Sequence, residues 1–127
     1  MKIIAVLGPY YGDGTRTTIA KNIKEAESYA IALANLGIGF FCPHTHTRHF
    51  EELAVAREEF YHELDLNILS HACDAALFTP RWSESKGATR EHLWCVNKGL
   101  RCFFPSSPQD LMEIIEWDTE VFKKVEV

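Results

Sequence analysis

Ser85, Gly87 and Glu91 are the residues whose types and spacing point most directly to chemistry. They lie in the run Trp82-Ser83-Glu84-Ser85-Lys86-Gly87-Ala88-Thr89-Arg90-Glu91, where a serine-glycine turn leads from an apolar strand into a helix. A helix starting near Gly87 leaves its first backbone N–H groups free, and its positive dipole end favours a phosphate or sugar oxygen beside Ser85. Glu91 stands four residues after Gly87, on the same helix face, and helical side chains lean toward the N-terminus. Its carboxylate is therefore predicted to point back at whatever the turn holds, with the dipole helping to keep it ionised. The plain alternative makes Arg90 and Glu91 surface charges.

Other candidates sit in two more loops and one helix. The segment Gly8 to Thr18, GPYYGDGTRTT, fails as a phosphate-binding Walker loop, because Asp13 and Gly14 stand where Gly and Lys belong. It also fails as a dinucleotide fingerprint, since Gly8, Gly12 and Gly14 are wrongly spaced. What remains is a glycine-rich loop with Tyr10 or Tyr11 reaching a crevice and Arg16 as an anion partner; an ordinary connection with solvent-facing tyrosines is the other reading. His44, His46 and His49 follow Cys42 without the paired spacing of a structural zinc site, so no metal is expected. That segment either lends polar groups such as His44 to a pocket wall or is simply solvated. Asp65 lies in a helical run and could be a solvated position, Asp74 reads as a turn residue, and Trp82 and Trp94 read as packing or pocket-wall residues.

Composition narrows the classes. The chain has 127 residues, 46% hydrophobic, which suits one domain over residues 1–127 with a core that needs no staple. A net charge of −5, with Lys and Arg concentrated on no single face, argues against a nucleic-acid groove. Cysteines 42, 73, 95 and 102 form no C-x-x-C pair, and the opening MKIIAVLG lacks a signal-peptide core, so reduced thiols in a cytoplasm are expected. No apolar run approaches the roughly 20 residues that span a bilayer, so no membrane partner is expected.

The periodicity supplies the elements that must hold these groups. Lys2 to Leu7 is a short β-branched apolar run that stops at Gly8-Pro9, a buried strand before a loop. From Thr17 to Leu36, Ile19, Ile23, Ala26, Ala30, Leu33 and Ala34 recur at helical spacing, and Gly37 is the stop. Ile38 to Cys42 makes a second strand, Pro43 to about Glu51 a loop, and Leu53 to Ala72 a helix prone to break in two. A third strand runs from Ala75 to Thr79, a helix ends near Gly99, and a fourth strand spans Arg101 to Phe104. Pro108 suits the first position of a last helix, in which Leu111, Ile114, Ile115 and Phe122 share a face for core or partner. Short strands alternating with helices predict an α/β three-layer sandwich, doubly wound and mostly parallel, Rossmann-like or flavodoxin-like. Ligands of such sheets bind at the carboxyl ends of the strands, so the loops after Leu7, Cys42 and Thr79 should converge.

These residues carry a resemblance. Ile3-Ile4-Ala5-Val6-Leu7-Gly8-Pro9-Tyr10, Asn22, Phe41-Cys42-Pro43-His44, Asp65-Leu66 followed by Cys73-Asp74, and Trp82 through Glu91 together resemble the nucleoside 2-deoxyribosyltransferase superfamily. The likeness is nearer to its small, uncharacterised phage and bacterial branch, and it spans residues 2 to about 104. It implies a flavodoxin-like, cofactor-free enzyme that cleaves or exchanges the N-glycosidic bond of a nucleoside or nucleoside 5′-monophosphate. Matched by position, Glu91 is the implied nucleophile, Asp65 the acid that assists the leaving base, and Tyr10 the hydroxyl beside the nucleophile. Ser85 and Gly87 match the turn that holds the sugar 5′ end, with Gly8, Tyr11, Arg16, His44 and Trp82 as further binding candidates. Members are typically homo-oligomers. The rival expectation is a non-catalytic nucleotide-binding or regulatory domain of the same fold; a flavin carrier would be yellow, and the first loop lacks a hydroxyl-rich phosphate cradle.

Overall fold

The computed structural model describes the backbone of residues 1–126 and the side chains of residues 1–119. The unbroken apolar run at the start forms β1 (Ile3–Leu7), a central parallel strand covered on both faces. Its alternating side chains feed two cores. Ile4 and Val6 pack with Leu33, Leu77, Phe103 and Ile114, whereas Ala5 and Leu7 pack with Leu69, Ala76, Phe78 and Cys95.

After β1 come α1 (Arg16–Asn35), β2 (Gly39–Phe41), two one-turn helices α2 (Pro43–His46) and α3 (Phe50–Leu53), and α4 (Glu58–Ala72). Then follow β3 (Ala75–Phe78), a 3-10 turn at Trp82–Glu84, α5 (Lys86–Lys98), β4 (Arg101–Phe103) and α6 (Met112–Glu126). The sheet is parallel throughout, in the order β2-β1-β3-β4, with Ile4 beside both Phe40 and Ala75. Helices α1 and α6 cover one face, α4 and α5 the other. This is an α/β three-layer sandwich of the Rossmann-like, flavodoxin-like kind. The chain moves outward from β1 to β2 and then back to β3, so the strand order reverses between β1 and β3 and a crevice opens at their carboxyl ends. Among the described residues no helix is long and apolar enough to cross a membrane.

Local chemistry explains the helix ends. Thr15 caps α1 by accepting from Thr18 N, and Gly37 leaves it at φ 71°. Ser85 caps α5 by accepting from Ala88 N at 3.2 Å, and Gly99 closes it at φ 70°. The predicted helix from Leu53 to Ala72 does break, into α3 and α4, and the histidine segment is partly helical because Pro43 can occupy a first helical position. The last helix begins at Met112 rather than Pro108. Asp110 N donates to the Ser107 carbonyl at 3.0 Å and Ser106 Oγ donates to Asp110 Oδ2 at 3.1 Å, which closes a turn around Pro108 instead. Ala34 is exposed, and Tyr29 takes a place on the buried face of α1. Phe122 lies outside the described side chains.

Candidate functional site

The loops after Leu7, Cys42 and Thr79 converge, together with one face of α4, on a cavity of about 620 Å³. Gly8 is where β1 delivers its end into it. A Cβ there would stand 1.9 Å from Thr79 Oγ1, so only glycine lets the two strand ends lie this close.

Glu91 and Asp65 both line this cavity, one from α5 and one from α4. Glu91 is 8% exposed. Burial pushes its carboxyl up to about 8, nearby Asp65 adds to the rise, and Arg90 opposes it. The expected ionised Glu91 is thus corrected: loss of hydration outweighs the pull of a helix end that carries only about half a charge. Asp65 is no solvated helix position. Burial raises it to about 7, and its Oδ1 is buried without a hydrogen-bond partner. Two carboxyls held this far up keep at least one proton between them at neutral pH.

Both tyrosines of the first loop reach the cavity, and the Tyr10 hydroxyl is engaged in its wall. Tyr10 lines the cavity, but its hydroxyl donates to Glu51 Oε2 at 2.7 Å and accepts from His49 N at 3.1 Å. Burial, then Glu51, pushes its ionisation well above the ordinary tyrosine value. Its ring lies edge-on to Tyr11 and to His44. Tyr11 also lines the cavity and is raised by burial, then by the charges of Glu58 and Glu51. His44 is 5% exposed, and its Nε2 meets the Pro9 carbonyl at 2.8 Å. Only a protonated Nε2 can donate there, which leaves Nδ1 as an acceptor, and Nδ1 has no partner. Burial lowers the affinity of this ring for a second proton, so it is neutral.

Ser85 and Gly87 line the cavity as well. The Ser85 Oγ accepts from Ala88 N as the α5 cap, which leaves its O–H free to donate, and the open face of Gly87 is filled by a side chain from α4: a Cβ at 87 would stand 2.7 Å from His62 Cε1. Arg81 and Lys86 bring positive charge to the same turn.

Two candidates lie outside. Arg16 is the first residue of α1 and faces α3, where Glu52 takes it in a two-pronged ion pair with both contacts at 2.8 Å; its side chain is 77% exposed. Trp82 packs instead with Phe78, His92 and Phe104 in an aromatic cluster, where its large apolar surface is better buried. The histidines of the second loop diverge too: His46 lies edge-on to Phe41, and His49 Nδ1 is 3.7 Å from Glu51 Oε1. Among the described residues no group of three or more His, Cys, Asp or Glu side chains is disposed to hold a metal ion.

The cavity also recruits Glu51, Glu58, Tyr61 and His62, which sequence reasoning passed over. For the last three the signal was there. Glu58, Tyr61, His62 and Asp65 follow one another at helical spacing, a polar stripe on one face of α4. Glu51 carries no such signal, because its position depends on the break between α3 and α4. No protein-family model matches the chain, and no curated protein matches it.

Proposed function

We propose that this cavity cleaves the N-glycosidic bond of a nucleoside or nucleoside 5′-monophosphate, as a cytoplasmic, cofactor-free enzyme that passes the sugar to a second base or to water. The observation that carries the reading is the pair of buried carboxyls, Glu91 and Asp65, on one cavity at the switch point of the sheet, both held above the usual carboxylate range. Attack at an anomeric carbon with acid assistance uses such a pair. The volume suits a nucleotide-sized ligand.

In the proposed reaction a Glu91 oxygen bonds to C1′ while the bond from C1′ to the base nitrogen breaks. The bonding pair leaves with the base, and the Asp65 proton goes to that nitrogen. Water or a second base then attacks C1′, the sugar–Glu91 ester opens, and the incoming proton returns to Asp65. The roles require an ionised Glu91 beside a protonated Asp65, whereas burial holds both carboxyls above the usual range. A base nitrogen bound beside Asp65 must therefore draw the proton to that side. Lys86, Arg81 and the first N–H groups of α5 suit a 5′-phosphate. Assembly into a homo-oligomer belongs to the same reading, with Phe50, Leu53 and Val55, exposed on α3 and just after it, as a surface for a neighbouring subunit.

The test is to incubate the protein with nucleosides and their 5′-monophosphates and follow free base by chromatography. Release that disappears in Glu91→Ala supports the reading, and no release from any of them removes it. A second reading, a nucleotide-binding domain without catalysis, is favoured by the Tyr10 hydroxyl being tied up in structural bonds. Thermal stabilisation by a nucleotide with no base release selects it.

A further inference from the structure

We infer that the heterocycle bound in this cavity carries an exocyclic amino group, at the position where adenine and cytosine have one, and that Glu51 selects it. The inference rests on the nucleoside or nucleotide reading above and names the base it takes. With C1′ beside Glu91 and a phosphate at the turn into α5, the base is left to the side of the cavity built by Tyr10, His44 and Glu51.

On that side and next to it three polar atoms, Glu51 Oε1, His44 Nδ1 and His49 Nδ1, are buried without hydrogen-bond partners. Glu51 is held in place through Oε2, which receives the Tyr10 hydroxyl at 2.7 Å, and its side chain is 19% exposed. Its other oxygen, Oε1, is buried with no hydrogen bond; His49 Nδ1, at 3.7 Å, is too far to make one. A buried carboxylate oxygen without a donor is costly, so a fixed one in a cavity wall marks where a ligand donor fits. His44 adds a second case, since it is 5% exposed and its Nδ1 is an unpartnered acceptor packed against the same Tyr10 ring. The Tyr10 hydroxyl proton is already given to Glu51 Oε2.

The placement of charge points the same way: Arg81 and Lys86, the Lys and Arg residues that line the cavity, belong to the turn before Gly87 rather than to the Tyr10 wall, where Glu51 stands. An exocyclic amino group offers two N–H donors from one atom. Uracil and hypoxanthine carry a carbonyl oxygen at that position, which would face the Glu51 carboxylate and His44 Nδ1, acceptor against acceptor. Tyr61 Oη on α4 is buried without a partner and supplies a donor for a ring nitrogen.

Matched pairs of 5′-monophosphates test this: adenine against hypoxanthine and cytosine against uracil, which differ at the amino group and the adjacent ring nitrogen. Binding is measured by calorimetry to Glu91→Gln protein, so that turnover does not interfere. The amino-bearing member of each pair is expected to bind roughly tenfold or more tighter. Adding Glu51→Gln keeps the volume and an acceptor for Tyr10 while placing an amide donor in the wall, and should narrow or reverse the preference. Equal binding within both pairs, a preference for the carbonyl members, or a preference untouched by Glu51→Gln overturns the inference. The predicted preference without base release from wild-type protein leaves it standing and removes the glycosidase; base release without preference does the opposite. Failure of all four nucleotides to bind overturns both.

Discussion

The His62 imidazole of α4 lies over the bare Cα of Gly87 in α5, so the two helices that carry Asp65 and Glu91 meet through a histidine and a missing side chain. Gly87→Ala is predicted to turn the ring aside and narrow the cavity. Because the ring end can move and alanine favours a helix, stability should change by no more than about 1 kcal/mol while nucleotide affinity falls. In a His62→Ala background the added methyl finds room. A double-mutant cycle read by ligand affinity checks this, and an identical effect of Gly87→Ala in both backgrounds would show that the contact is idle.

Glu91 ties function to stability through pH. Its carboxyl, ordinarily near 4.5, is raised to about 8 by burial. Across that window the native state holds a proton that the unfolded chain has lost, so stability falls as pH rises through it, and the effect vanishes below the unfolded value. Glu91→Gln should therefore melt higher than wild type at about pH 9, by up to a few kcal/mol, and nearly alike at about pH 4. Thermal melts at the two pH values decide; a variant less stable at the higher pH contradicts the burial argument.

Gly8 sets the approach of two strand ends. Its missing Cβ is the room that Thr79 Oγ1 occupies, and Thr79 is 1% exposed with nowhere to retreat. Gly8→Ala is predicted to destabilise by about 2–4 kcal/mol. Thr79→Ala should recover a large part of the loss in urea unfolding, and an additive double variant would contradict the contact.

Tyr10 is predicted to hold the α3 segment rather than to do chemistry. Tyr10→Phe leaves Glu51 Oε2 and the His49 N–H without their shared partner, which should cost about 1–3 kcal/mol. Hydrogen exchange should rise around residues 49–53 and not around Glu91. Loss of base release with unchanged exchange and stability would put the hydroxyl back in the reaction.

Much of this architecture was legible in the chain. The apolar runs at Ile3, Ala75 and Arg101 become parallel strands, and Gly37, Ser85 and Gly99 mark helix ends because caps are local chemistry. Pro108 misled for a non-local reason: the turn around it is closed by Asp110, and buried Leu111 precedes the helix. In the site, Glu91 could be read from helix geometry, since its spacing from Gly87 fixes its face, whereas Asp65 read locally as a solvated position and was singled out only by the resemblance. Arg16 could not, because its partner Glu52 is brought near only by folding. Trp82 went to an aromatic cluster drawn from β3, α5 and the chain after β4, a gathering no local spacing announces. His62 was readable as part of a polar stripe on α4, although its role against Gly87 needs the packing of two helices.

The central claim is that Glu91 forms a bond to the sugar, and peptide mass spectrometry of acid-quenched protein after brief exposure to a nucleoside 5′-monophosphate tests it most directly. The expected result is a sugar-phosphate adduct on the peptide containing Glu91, accompanied by free base, with both absent in Glu91→Gln. Base release that persists in Glu91→Gln, or an adduct on another residue, would contradict the account.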